Sequence, residues 1–313
     1  MTLDDGAGGN PVTLTTRNFN AGDQDNFLDS NWTSFRGQLA LAGFDANNLA
    51  ISETIVSHGV TVDFYRAPNR PRTKYADMKA GVIYGLGLVT QDPNLTFPGN
   101  RLQVFCSEEA NVSLGFRYRK NATEYAAITM GKTSWHWSGD DNTKTVAMEV
   151  KSHYQKAWFT SSSKRRCAAT AIHEMGHIFH QIGSLPHYIL MARVSVLAGQ
   201  AISIEAVDDS MHENFKAPKL LDFNPQPTAA QLYHFVRHSR RWGTGVSNYA
   251  AFNGMNEFVA ETFCSLVMGS PIGGDNHVPV TAAHPPDRAD VLTAYTEHGG
   301  PLPALAARHA RRG

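Results

Sequence analysis

The stretch AATAIHEMGHIFHQIG, residues 168–183, constrains this chain more than any other. Ala168, Ala171, Ile172, Met175, Ile178 and Phe179 recur at helical spacing, which predicts a helix that other elements must bury. Within it His173 and His177 lie one turn apart and face the same way, so they can offer two imidazole nitrogens to one tetrahedral metal ion. Glu174, the neighbour of His173, sits where a carboxylate can reach a metal-bound water without being a ligand. Gly176, inside the motif, lets another backbone or the site approach closely at a cost of about 1 kcal/mol in helix propensity. His180 shares roughly the same face, but a donor three residues past the pair has poor geometry, so it reads as a packed or rim histidine.

Around this helix the pattern divides the chain. Between Leu49 and Val150 come ISETIVS, VTVDFYR, GVIYGLGLV, RLQVFCS, VSLGFRYR, YAAITM and TKTVAMEV, β-branched and aromatic runs separated by Gly, Pro, Asn and Asp. A helix is expected earlier, over Trp32–Leu41, with Asp29 and Ser30 as capping candidates. From Ser161 the periodicity becomes helical, over about 164–182, 228–242, 254–268 and 287–298, the last starting near Pro285 and Pro286. The expected architecture is α+β: a β-rich lobe over 31–160, a helical lobe over 161–313 and the metal site at their junction. Residues 1–30 are polar and Gly-rich, and read as a loose segment.

Composition excludes some partners. Lys plus Arg balances Asp plus Glu at 28 each, so no global field favours nucleic acid or an anionic membrane. No apolar run approaches the roughly 18 residues that span a bilayer. The opening MTLDDGAGGNPVTL is acidic where a signal peptide would be basic and then apolar. It reads as a linker or cut end, which suits a protein delivered as an effector without a signal in this chain, or otherwise a cytoplasmic one. Cys106, Cys167 and Cys264 make no disulfide framework; Cys167 and Cys264 can meet if their helices lie side by side, and the alternative is that all three are small buried hydrophobes. The sequons at Asn31, Asn94, Asn111 and Asn121 mark surface loops at best.

Two histidines leave a catalytic zinc site one protein ligand short. The extended HExxHxxGxxH form fails, because His180 stands at its glycine position and Gly183 at its third histidine; His187 is out of register. NEFVAETF, residues 256–263, is the better source, with Glu257 and Glu261 one turn apart and Phe258, Val259, Phe263 and Leu266 packed behind. HExxH followed by an NExxxE-like helix resembles the gluzincin class of zinc metallopeptidases, and EFVAETF is similar to the ligand helix of the anthrax lethal factor catalytic domain. The resemblance covers residues 168–183 and 247–268. It implies a zincin-like fold, one Zn2+ per chain held by His173, His177 and Glu257, and Glu261 orienting His173 from behind. It also implies a tyrosine about two turns before the ligand glutamate, for which Tyr249 is the candidate.

Together these residues imply amide hydrolysis, with Glu174 as general base and Tyr249, or failing it His234 or His238, as donor to the developing oxyanion. The expected substrate is a protein or peptide lying along an edge strand, for which TKTVAMEV is the candidate. Toxin or effector proteolysis, with a separate delivery or inhibitor partner, follows by analogy. Two other functions stay open: hydrolysis of a non-protein amide such as peptidoglycan, and a binding module with a vestigial zinc site. An intact Glu174 argues against the last, since a structural ion needs no general base. His234 and His238 form a second i,i+4 pair on an Arg-rich helix, and Trp135 and Trp137 alternate as on a strand face; a solvated surface and core packing explain them.

Overall fold

The computed structural model describes residues 2–3, 10, 12–13, 15–16, 20–67, 72–107, 113–131, 162–200, 221–222, 228, 230–231, 241–269, 272–273 and 286–301. Five of the strand-like runs form strands, as expected. They are β1 (Glu53–Ser57), β2 (Val60–Arg66), β3 (Arg101–Cys106), β4 (Leu114–Lys120) and β5 (Thr123–Met130), in one sheet of order β1-β2-β3-β5-β4. The pairs β1/β2 and β4/β5 are antiparallel, while β2/β3 and β3/β5 are parallel. Two-residue turns close both hairpins: His58–Gly59 at φ 50° and 77°, and Asn121–Ala122 at φ 52° and 60°. Positive φ at both central residues matches the right-handed twist of the flanking strands. Parallel neighbours need a crossover between them; α2 (Arg72–Val89) supplies it from β2 to β3.

The central strands are buried on both faces, as a sheet covered twice requires. On one face Tyr65, Phe105, Phe116, Tyr118 and Ala127 meet Phe35 and Leu39 of α1 (Ala21–Leu41), with Phe35 and Phe105 edge to face at 5.5 Å. On the other face Phe64 meets Tyr75 of α2 at 6.2 Å. Gly115 of β4 lies against the backbone of Glu174 in α3 (Ser162–Gln200).

Three local expectations are corrected. GVIYGLGLV is not a strand but the second half of α2. Met78, Val82, Leu86 and Val89 form its buried stripe, at spacings of four, four and three that only a helix brings to one side. The helix expected over Trp32–Leu41 begins at Ala21, so Asp29 and Ser30 lie inside it. Its true start is a reciprocal cap: Asp23 N–H donates to Asn20 Oδ1 at 3.0 Å, and Asn20 N–H donates to Asp23 Oδ2 at 3.1 Å. Asn31 is likewise no loop residue, since it lies in α1 and its amide donates to Arg117 O at 2.8 Å.

The helical stretches are α3, then α4 (Asn248–Phe252), α5 (Met255–Met268) and α6 (Arg288–Glu297). α3 runs past its expected end at 182, but Ser184 (φ −154°, ψ 55°) breaks its helical geometry there. Pro186 then falls in a first turn, where its missing N–H costs nothing. α6 starts at Arg288 because Asp287 caps it, accepting from Asp290 N–H at 2.7 Å; Pro286 precedes the cap rather than opening the helix. A further cap pairs Thr228 with Gln231, at the expected start of the 228–242 helix, most of which lies outside the described residues. TKTVAMEV, Trp135, Trp137, His234, His238 and Asn111 also lie outside them.

The architecture is α+β, as expected, although the N-terminal half carries two long helices beside its strands. The chain separates into two compact units: Leu28–Phe179 with Phe263–Ser270, and Met1–Phe27 with His180–Thr262 and Pro271–Gly313. Two-residue ladders, Thr2–Leu3 with Val12–Thr13 and Thr15–Thr16 with Leu221–Asp222, belong to the second. Among the described residues no helix is long and apolar enough to cross a membrane. Cys106, Cys167 and Cys264 are all buried thiols, so the bridge left open by the sequence does not form.

Candidate metal centre

The motif segment of α3 is buried all round, as its composition demands. Ala168, Ala171, Ile172, Met175 and Ile178 are fully buried and Phe179 nearly so. Two kinds of contact hold it. On the α2 side, glycines replace side chains: a Cβ on Gly81 would stand 2.5 Å from Cys167 Cβ and 2.6 Å from Ala168 N. On the sheet side, a Cβ on Gly115 would stand 2.0 Å from Glu174 O. Backbone therefore meets backbone at the general-base candidate itself, and any larger residue at position 115 must push the helix away from the sheet.

α5 packs on the same helix. Cys264 Sγ donates to Ala169 O at 3.4 Å and Phe263 lies 6.0 Å from Phe179. Phe258, Val259, Phe263 and Leu266 are buried as expected, leaving Glu257 half-buried at the N-terminal turn and Glu261 buried one turn later. The imidazoles of His173 and His177 are 4.9 Å apart and nearly perpendicular, each about 8 % exposed. Ligand atoms of His173, His177 and Glu257 all lie within 4.8 Å of one another. Metal–nitrogen and metal–oxygen bonds of about 2.0–2.2 Å bring the donors of one tetrahedral ion to roughly 3.3 Å apart. This group could hold a metal ion.

Glu174, 4 % exposed, is next to the ligand set without belonging to it. Tyr249 is half-buried on α4, whose carbonyl O accepts from Asn253 N–H and from the Asn253 side-chain amide, at 3.0 and 3.1 Å. Glu261 Oε2 accepts a hydrogen bond from Ser247 Oγ at 2.7 Å. His180 is fully buried and donates through Nε2 to His298 O at 2.8 Å, which makes it the packed histidine expected rather than a ligand. His187 shares a 2.7 Å hydrogen bond with Ser184 Oγ at the break in α3 and is not one of the grouped donors. Burial pushes its pKa down, and the nearby His187 adds to burial in pushing that of His298 down to about 3.

Sequence reasoning missed Ser247, Gly81 and Gly115. Ser247 carried a visible signal, a Ser-Asn pair ahead of a helix. Gly81 and Gly85 carried one too, since small residues at i and i+4 mark a face where two helices touch. Gly115 in a strand-like run hinted at close approach without saying to what. Comparison with protein-family models, curated proteins and solved structures finds no match to this chain.

Proposed function

We infer that this chain is a zinc-dependent metallopeptidase of the gluzincin type, hydrolysing peptide bonds through a zincin-like site. The observation that carries this reading is the convergence of Glu257 on the His173–His177 pair. Two imidazoles and a carboxylate suit zinc with one position open for chemistry, whereas structural zinc sites are closed by four protein ligands. A buried Glu174 outside the ligand set adds weight, because a structural ion has no use for it.

When bound, the ion supplies Lewis acidity, acidifying water and polarising a carbonyl oxygen. Glu174 takes the proton of the attacking water and delivers it to the departing amine as the C–N bond breaks, returning to its ionised form. Tyr249 donates to the carbonyl oxygen as negative charge develops. Glu261, one turn behind the ligand, acts on the site through residues it positions.

The test pairs metal content with turnover. Purified protein should carry one zinc, Glu257→Ala should lose it, and Glu174→Gln should keep it while ceasing to cleave a mixed peptide library. Zinc without peptide cleavage in the wild type moves the reading to a non-protein amide; a wild type without zinc ends it.

A further inference from the structure

The metal centre proposed above rests on a ligand helix whose next turn carries a second carboxylate, this one buried, and that carboxylate is held from outside the helix. Glu261 is 1 % exposed and Ser247 fully buried. A carboxyl group so far from water is costly unless hydrogen-bond partners meet it. Ser247 Oγ supplies one at 2.7 Å. The same hydroxyl oxygen accepts from Ala250 N–H at 3.0 Å as the N-cap of α4. With a lone pair so engaged, its proton is directed at Glu261 rather than free to rotate.

The surroundings hold the hydroxyl in turn. Ser247 N–H donates to Gly243 O at 2.9 Å. Gly243 packs so closely on α4 that a Cβ there would lie 2.5 Å from Ala250 O and from Ala251 N. Gly254, at φ 99°, turns the chain from α4 into α5. The hydroxyl is thus a fixed point tying the Tyr249 helix to the helix that carries Glu257 and Glu261.

We propose that Ser247 is a positioning residue of the metal centre: its hydroxyl fixes the Glu261 carboxylate, and through it sets how α5 presents Glu257 to the ion. Ser247 is not among the donors of the metal group. Groups one step behind metal ligands, the place Glu261 takes in this reading, are typically worth 10–100-fold in affinity, and releasing Glu261 by removal of the hydroxyl is expected to cost an effect of that order.

The experiment measures Zn2+ affinity by competition with a chromophoric chelator, alongside urea unfolding of the metal-free protein. Ser247→Gly is the decisive variant. Glycine is nearly as good an N-cap as serine, so it keeps α4 capped while deleting the hydroxyl that Glu261 uses. The expected result is a 10–100-fold loss of zinc affinity in Ser247→Gly, recovery to within about threefold in Ser247→Thr, and no further loss when Ser247→Gly is added to Glu261→Ala. Zinc affinity in Ser247→Gly within twofold of wild type, or losses that simply add in the double variant, would overturn the proposal. If zinc binds wild type and is lost in Glu257→Ala while Ser247→Gly is unchanged, only the role of Ser247 falls. If wild type binds no zinc, the metal centre falls and this proposal with it.

Discussion

Replacing helical glycines by alanine should report how tightly the motif helix is held, because one chemical change takes different signs at three positions. In a helix interior alanine is favoured over glycine by about 1 kcal/mol. Gly37 lies on the exposed side of α1, where a Cβ meets nothing within 4 Å, so Gly37→Ala should stabilise by about that amount. At Gly85 the new atom comes 3.0 Å from Ile172 Cγ1 and 3.2 Å from Ala168 O. A side chain can yield by a few tenths of an ångström, so gain and overlap nearly cancel. At Gly81 the neighbours are Cys167 Cβ at 2.5 Å, Ala168 N at 2.6 Å and Cys167 C at 2.7 Å. Backbone cannot swing aside, and overpacking of this kind costs about 1–3 kcal/mol. Net of propensity, Gly81→Ala should fall below Gly37→Ala by about 2 kcal/mol. Urea unfolding in the presence of a metal chelator measures the difference free of any contribution from metal binding. Equal stability of the two variants would show that α2 and α3 do not meet backbone to backbone, and would refute the argument.

Three further outcomes are expected. His298, buried and held neutral with its pKa pushed down to about 3, binds a proton more readily unfolded, near 6.5, than folded. The stability it contributes is therefore complete above pH 6.5 and shrinks as pH falls towards 3. At pH 5 the loss is about 2 kcal/mol; urea unfolding at pH 7.5 and 5.0 should show a weaker acid sensitivity in His298→Gln than in wild type. Ala122 sits at φ 60° in the β4–β5 turn, so Ala122→Gly should raise stability by about 1 kcal/mol, and a lower urea midpoint would contradict the turn geometry. Tyr249→Phe should reduce kcat by about 100-fold with zinc content unchanged if the phenol meets the oxyanion; an unaltered kcat would remove Tyr249 from the chemistry.

The parts of this protein that its sequence made legible are those written in periodicity. β2 begins and ends where VTVDFYR does, α5 covers the expected ligand helix, and the motif helix is buried on the residues that its apolar spacing named. Glu257 was legible for a different reason: metal chemistry leaves the HExxH pair a ligand short, and NEFVAETF resembles the ligand helix of gluzincins, which implies Glu257 as the third donor. The start of α1 was misread because Asn20 and Asp23 cap each other within a stretch too polar to suggest order.

The failure at GVIYGLGLV has a more general physical cause. Valine, isoleucine and tyrosine at short spacing suit a strand, and glycine among them suggests a bulge. The stripe that decides for a helix begins at Met78, before the run, so a window drawn around the β-branched residues leaves out its first member. The glycines, moreover, take their meaning from the partner: Gly81 and Gly85 are tolerated because Cys167, Ala168 and Ile172 occupy the space their side chains would fill. Their cost in helix propensity is local and visible in the sequence, whereas the close packing that offsets it belongs to a second helix far along the chain. A reading confined to neighbours in sequence counts the first and misses the second. The same asymmetry hid Ser247, whose cap is local but whose bond to Glu261 joins two helices.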